Sequence, residues 1–152
     1  MSGSYYATQT IEPILGATKL NNNAFTYGRV TLTAAFTGNL SGTMRADGQQ
    51  QIVFFVEHVT HASATSPRLD VRIEFSTDNG TTWFQETESS VASGRDTLTL
   101  LEHSHTGAAA GTTYRFTFNV PVAHRWYRIG LRQQSDTTNF GTASIIALVS
   151  GQ

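Results

Sequence analysis

Cysteine is absent from this 152-residue chain, which removes disulfide frameworks and thiolate metal sites together and leaves the compartment open. Proline is scarce, at three residues, and no Glu/Lys/Ala/Leu-rich stretch is long enough to suggest an α-helix. Lys19 is the only lysine, so the positive charge is almost all arginine, a side chain suited to planar, multi-donor contacts. The formal net charge is −1 and no basic block occurs, so nothing in the charge pattern favours nucleic acid. No apolar run approaches membrane-spanning length, and the N-terminus lacks a charged-then-apolar signal pattern. The expectation is a soluble protein made inside the cell, with neither nucleic acid nor membrane as partner. A chain of this length forms one ordinary domain that buries roughly two-thirds of its unfolded surface.

What remains is rich in glycine, threonine and β-branched residues, a composition that argues for an all-β domain. Alternation of period two recurs along the chain. It predicts strands over 29–36, with Val30, Leu32, Ala34 and Phe36 on one face, over 114–120, and over 125–134 with Tyr127, Ile129 and Leu131 inward. Gln51–Val59 and Thr142–Val149 are apolar on both faces, as expected of central strands or of strands with one face in a subunit contact. A short strand is expected over 97–103, after a polar connection at 87–96. Short strands separated by turns, with no helix, specify an antiparallel two-sheet sandwich, with a jelly roll of about eight strands leading among the topologies.

The stretch Leu69 to Gln85, LDVRIEFSTDNGTTWFQ, carries the clearest local pattern. Leu69, Val71, Ile73 and Phe75 form a core row, and Asp70, Arg72, Glu74 and Ser76 a row expected in solvent. Asp78-Asn79-Gly80 supplies a turn and Trp83-Phe84 a return strand, which together predict a β-hairpin. Ser76, Asp78, Gly80, Thr82 and Trp83 match the S-x-D-x-G-x-T-W pattern, and the stretch resembles the Asp-box hairpin of sialidases and other β-propeller proteins. The resemblance implies a structural hairpin locked by the Asp and a packed Trp. It does not imply glycosidase activity, since the box occurs once and the chain is too short for a six-bladed propeller.

Residues 1–28 do not read as a packed element. They are expected to form an extended arm, with residues 29–152 the sandwich domain. Tyr5, Tyr6, Ile14 and Leu15 are apolar anchors on that arm and candidates for an interface. Trp126, Arg128 and Arg132 are the second candidate interface, because aromatic and arginine side chains on an outward strand face match the composition of binding hot spots. A register slip of one residue would instead bury Trp126 and expose Tyr127.

The case for catalysis is thin. His58/His61 and His103/His105 are paired, and His-x-His is how several β-fold metal sites begin. The glutamate that cupins place shortly after such a pair is missing, and His103 and His105 are expected to be solvent-exposed where a strand runs out. Glu57, Glu74, Glu86 and Glu88 offer no spacing that pairs two carboxylates for glycoside cleavage. No nucleophile elbow and no glycine-rich phosphate loop are present. No catalytic, cofactor-binding or metal residue is therefore assigned.

The polar N-terminal arm, the Thr/Gly-rich strands, VRIEFSTDNGTTWFQE, RWYRIGLRQQ and GTASIIALV together give the chain a general look. It resembles the small virion structural proteins of tailed bacteriophages. That resemblance implies a β-sandwich or jelly-roll decoration (cement) protein, non-enzymatic and without cofactor. It would be made in the host cytoplasm and incorporated in the virion, bound to the major capsid or another virion protein, and homo-oligomeric, commonly trimeric. The alternative is a carbohydrate-binding or receptor-binding sandwich in which Trp126, Tyr127 or Trp83 stacks on a sugar.

Overall fold

The computed structural model describes residues 17–21, 24–46 and 48–150, and from 28 to 149 their side-chain environments as well. The strands are β1 (Ala17–Asn21), β2 (Ala24–Thr31), β3 (Met44–Arg45), β4 (Gln51–Val59), β5 (Arg68–Ser76), β6 (Phe84–Gln85), β7 (Thr87–Ala92), β8 (Arg95–Leu100), β9 (His103–Thr106), β10 (Thr113–Pro121), β11 (Trp126–Gln134) and β12 (Thr142–Ser150). One short 3₁₀ turn, Thr37–Asn39, lies among them.

Eight of these strands form a jelly roll. The chain runs out through β2, β3, β4 and β5 and returns through β9, β10, β11 and β12, pairing antiparallel as β5 with β9, β4 with β10, β3 with β11 and β2 with β12. This long ribbon rolls up because β12 also pairs with β4, and β11 with β5. The result is two sheets, β1-β2-β12-β4-β10 and β3-β11-β5, with β6 and β9 sharing the free edge of β5. Residues 17–21 and 24–31 are thus sheet strands, although the sequence reading assigned 17–28 to the arm. Residues 1–16, and with them Tyr5, Tyr6, Ile14 and Leu15, lie outside the described residues.

The core is the sum of the inward rows. Ile52, Phe54 and Val56 of β4, with Ala143, Ile145, Ala147 and Val149 of β12, face Leu69, Val71, Ile73 and Phe75 of β5, with Tyr127, Ile129 and Leu131 of β11. Phe54 stacks on Phe118 at 4.9 Å between centroids and meets the Tyr127 ring edge-on at 6.5 Å, tying β4 to β10 and one sheet to the other. Met44 is fully buried beside them.

Three local expectations are corrected. The strand predicted over 29–36 stops at Thr31, because from Leu32 the chain leaves the first sheet. Leu32 is buried in the core, but Phe36 crosses to the outer face of the second sheet, where Arg72 and Arg132 lie over its ring. The connection predicted at 87–96 is instead a two-stranded ribbon, β7–β8, turned by Ser93 and Gly94, both at positive φ. The single strand predicted over 97–103 is split between β8 and β9.

The turn from β11 to β12 depends on one glycine. A Cβ at Gly141 would lie 2.2 Å from the carbonyl oxygen of Val59, a backbone atom on β4 that cannot swing aside. Gly141 N donates to the fully buried Gln133 side chain at 2.9 Å, whose amide in turn donates to the Asn139 carbonyl at 3.0 Å. Gly141→Ala is expected to cost about 1–3 kcal/mol through that forced shift, read as a lower urea midpoint at unchanged slope; an unchanged midpoint would refute the close approach.

Candidate functional site

The outer face of the second sheet gathers most of the residues singled out from sequence. The β5–β11 register sets Trp126 opposite Ser76, Arg128 opposite Glu74 and Arg132 opposite Asp70. Tyr127 is fully buried, so Trp126, Arg128 and Arg132 face outward and the one-residue slip does not occur. The partner row is not in solvent as predicted: Asp70 and Ser76 are fully buried and Glu74 nearly so. The cover comes from above. Arg72 and Arg132 both lie over the Phe36 ring, 4.3 and 4.4 Å from its centroid, and Leu40 rests on Gly130, where a Cβ would come within 2.9 Å of it.

Every charge on this face is engaged within the chain. Asp70 accepts from Arg68 Nε at 2.7 Å, from Ser104 Oγ at 2.7 Å and from Arg132 Nε at 3.0 Å, and Arg132 reaches Glu102 at 2.8 Å. Glu74 accepts from Arg128 and lies 3.4 Å from Arg72. A buried carboxylate is tolerated only when its lone pairs are filled in this way.

The Ser76–Trp83 hairpin adjoins this face. Ser76 Oγ donates to Asp78 Oδ1 at 2.9 Å and accepts from Gly80 N at 2.8 Å, while Asp78 Oδ1 accepts from Thr81 N at 3.1 Å and Thr82 N at 2.6 Å. Asn79 and Gly80 take positive φ, and Gly80 packs against Thr43. Trp83 is half-buried rather than a core residue, and Arg128 lies 4.4 Å over its ring. The return strand β6 is only two residues long.

Hydrogen bonds from Thr82, its hydroxyl first and then its amide, hold Asp78 down to about 2. A depressed carboxylate contributes stability above its unfolded range, near 3.9, and loses it as pH falls toward 2. Asp78→Ala should therefore lower the thermal midpoint at pH 7 and have little further effect near pH 2; an equal loss at both would remove the carboxylate from the turn.

A third cluster lies along the edge of the sandwich where β9 and β10 face one another. His103 stacks on Phe118 and His105 on Phe116, with centroids 4.4 and 4.6 Å apart, so both rings are half-buried rather than solvent-exposed as expected. Their strand pairs with β5 and turns them into the gap between the sheets. His58, fully buried on β4, sets its Nδ1 3.2 Å from that of His105 while its Nε2 has no hydrogen-bond partner among the described residues. His103 Nε2 meets Glu86 at 3.2 Å. Among the described residues no three His, Asp or Glu side chains come together as metal ligands.

Burial, and then the neighbouring His105, lower His58 to about 4. The unfolded chain, titrating near 6.5, binds the proton first, so stability is full above that value and declines as pH falls toward 4. The shift amounts to about 3 kcal/mol at most. His58→Leu is expected to flatten the fall of the unfolding free energy between pH 6.5 and 4; a slope equal to that of the unaltered chain would clear His58 of the effect.

The outer face of the first sheet differs in kind. Phe55 and Leu148 are 43% and 37% exposed, and a groove of about 350 Å³ runs past Phe55, Ile146 and Arg115. Glu57 beside it is held by Arg29 and by Arg115, the latter at 2.9 Å. The β7–β8 ribbon, every residue of it exposed, carries Val91, Leu98 and Leu100 into solvent. The sequence signal for the ribbon was Ser93-Gly94 between two strand-like runs, a two-residue hairpin loop.

No family model matches the chain, and no curated protein does. A solved structure to which it is similar is the crystal structure of dimeric latent PorU from Porphyromonas gingivalis. The identity is 11% and the TM-score 0.33, over 85% of this chain and 10% of that one. The chain thus spans about a tenth of that protein's length, and a likeness this slight carries no argument about fold or activity. Among the described residues no helix is long and apolar enough to cross a membrane.

Proposed function

We propose that this chain is a non-enzymatic structural protein of a virion, decorating and stabilising a bacteriophage capsid through contacts between subunits. One observation carries the reading: three of the four glutamates with catalytic potential are committed to ion pairs and Glu88 stands on the exposed ribbon, while large apolar side chains are left exposed on separate surfaces. Glu57 and Glu74 are held by arginines and Glu86 by His103, whereas Phe55, Phe84, Val91, Leu98, Leu100 and Leu148 face solvent. Exposed apolar area of that kind marks association surfaces. The sequence resemblance to decoration proteins supplies the particle, the capsid protein as partner and the homo-oligomer, with a trimer as the form it implies. Binding to an assembled shell would stabilise it by mass action.

The carbohydrate-binding alternative has less support. Its expected platforms are engaged, with Arg128 over Trp83 at 4.4 Å, Arg45 over Trp126 at 5.0 Å, and Tyr127 buried. The test is to probe purified, gradient-banded phage particles with an antibody against this chain and to heat them with and without it. Copies bound in number to intact heads, and a lower disruption temperature for particles lacking them, are expected. A chain absent from particles that binds glycans on an array would sink the proposal and favour the alternative.

A further inference from the structure

We infer that the β7–β8 ribbon is an assembly arm whose apolar face seats on the outer face of the β10–β4–β12 sheet of a second copy of this chain. The eight-stranded roll is complete without the ribbon, which is inserted between β5 and β9. Where it leaves the body the chain is already closed, Leu101 N donating to Glu86 O at 2.8 Å. A lone two-stranded ribbon is marginal in water, and among the described residues no other strand pairs with this one. Its register sets Leu100, Leu98 and Asp96 along one edge of a single face, with Val91 directly opposite Asp96. Val91, Leu98 and Leu100 are 77%, 65% and 61% exposed, and the charged Glu88 and Arg95 fall on the other face.

The receiving face has the same order. Across β4 and β12 Val53 pairs with Leu148 and Phe55 with Ile146, with Asn119 and Thr117 beside them on β10, and Glu57 pairs with Arg115 on β10, so two rows apolar over β4 and β12 are followed by an ionic one. In that ionic row two guanidinium groups, Arg29 and Arg115, share the single Glu57 carboxylate and remain largely in solvent. Rows on both surfaces advance by two residues, about 6.5–7 Å. Laying Leu100 on the Val53/Leu148 row and Leu98 on the Phe55/Ile146 row brings Asp96 to the surplus cation.

That match of apolar, apolar, acid against apolar, apolar, cation selects a second copy as the occupant. Ribbon and groove are different patches, so two copies either exchange ribbons in a closed pair or join head to tail into a ring or a chain. The inference does not rest on the capsid reading and holds for a free oligomer as well.

Sedimentation of the full chain at concentrations up to about 200 µM is expected to reveal concentration-dependent association. Leu98→Ser with Leu100→Ser, and separately Phe55→Ser, should each weaken it at least about tenfold. All three positions are exposed, so the variants fold. Mixed together, the two variants retain one intact ribbon and one intact groove between them and should form a 1:1 dimer that grows no further. Asp96→Arg should weaken association and added Arg115→Glu restore it. A chain that stays monomeric, association untouched by the ribbon variants, or a mixture that fails to dimerise overturns the inference. So does association that survives the ribbon variants but is lost on deleting residues 1–16, which would assign the groove to the N-terminal segment.

Discussion

Two long antiparallel ladders, β12 against β4 and β11 against β5, close the roll, and both join strands far apart in sequence. Each runs for nine residues, so each is also a register decision: a slip of one position would exchange every inward residue for its outward neighbour. In the second ladder the penalty is symmetric. The slipped form would lift Tyr127, Ile129 and Leu131 into solvent and push Arg128 and Arg132 into the core. The alignment that buries the apolar row is the same one that sets Arg128 across from Glu74 and Arg132 across from Asp70. Core packing and ion pairing thus specify the register together. The slow, non-local closure of the roll is thereby committed to one outcome.

The two sheets treat their outer faces in opposite ways. The second sheet spends its outward row internally, with two guanidinium groups over Phe36, Asp70 filled by Arg68, Ser104 and Arg132, and Trp83 under Arg128. Such a face holds most of its charge in internal pairs. The first sheet ends its outward row in Phe55, Ile146 and Leu148 with only the Arg29–Glu57–Arg115 cluster at one end. Arginine is nearly the sole cation here because its planar fork serves both tasks, stacking on aromatic rings and bridging carboxylates.

Much of the body was legible in the sequence, since period-two alternation in β5, β10 and β11 follows directly from burial of one face. The jelly roll was legible too, as a count of strands and turns. The burial of Asp70 and Glu74 was not. A covering segment such as 32–43 arrives from elsewhere in the chain, and alternation on β5 alone cannot report it. His103 and His105 were misjudged for the same reason. Their exposure depends on β10, which supplies Phe116 and Phe118 across the gap between the sheets. The ribbon was missed because TESSVASGRD is polar enough to pass for a loop, and only Ser93-Gly94 marks its turn. The candidate interface at Trp126, Arg128 and Arg132 was placed on the correct face, but its hot-spot composition is used inside the molecule.

The position of the ribbon within the roll explains how its apolar face can be left in water. Val91, Leu98 and Leu100 keep most of their unfolded-chain exposure in the folded chain, so leaving them in water costs the folding equilibrium little. It also means that their transfer free energy, about 1.5–3 kcal/mol for each large side chain fully buried, is not consumed by the body and remains available to association. An insertion at the junction of β5 and β9 sits at the end of the rolled ribbon, where the roll makes no further demand on the chain. Changes there would leave the closing ladders untouched. Stability and association are therefore carried by separate residues of this chain, and substitutions in one set can alter assembly without altering the fold.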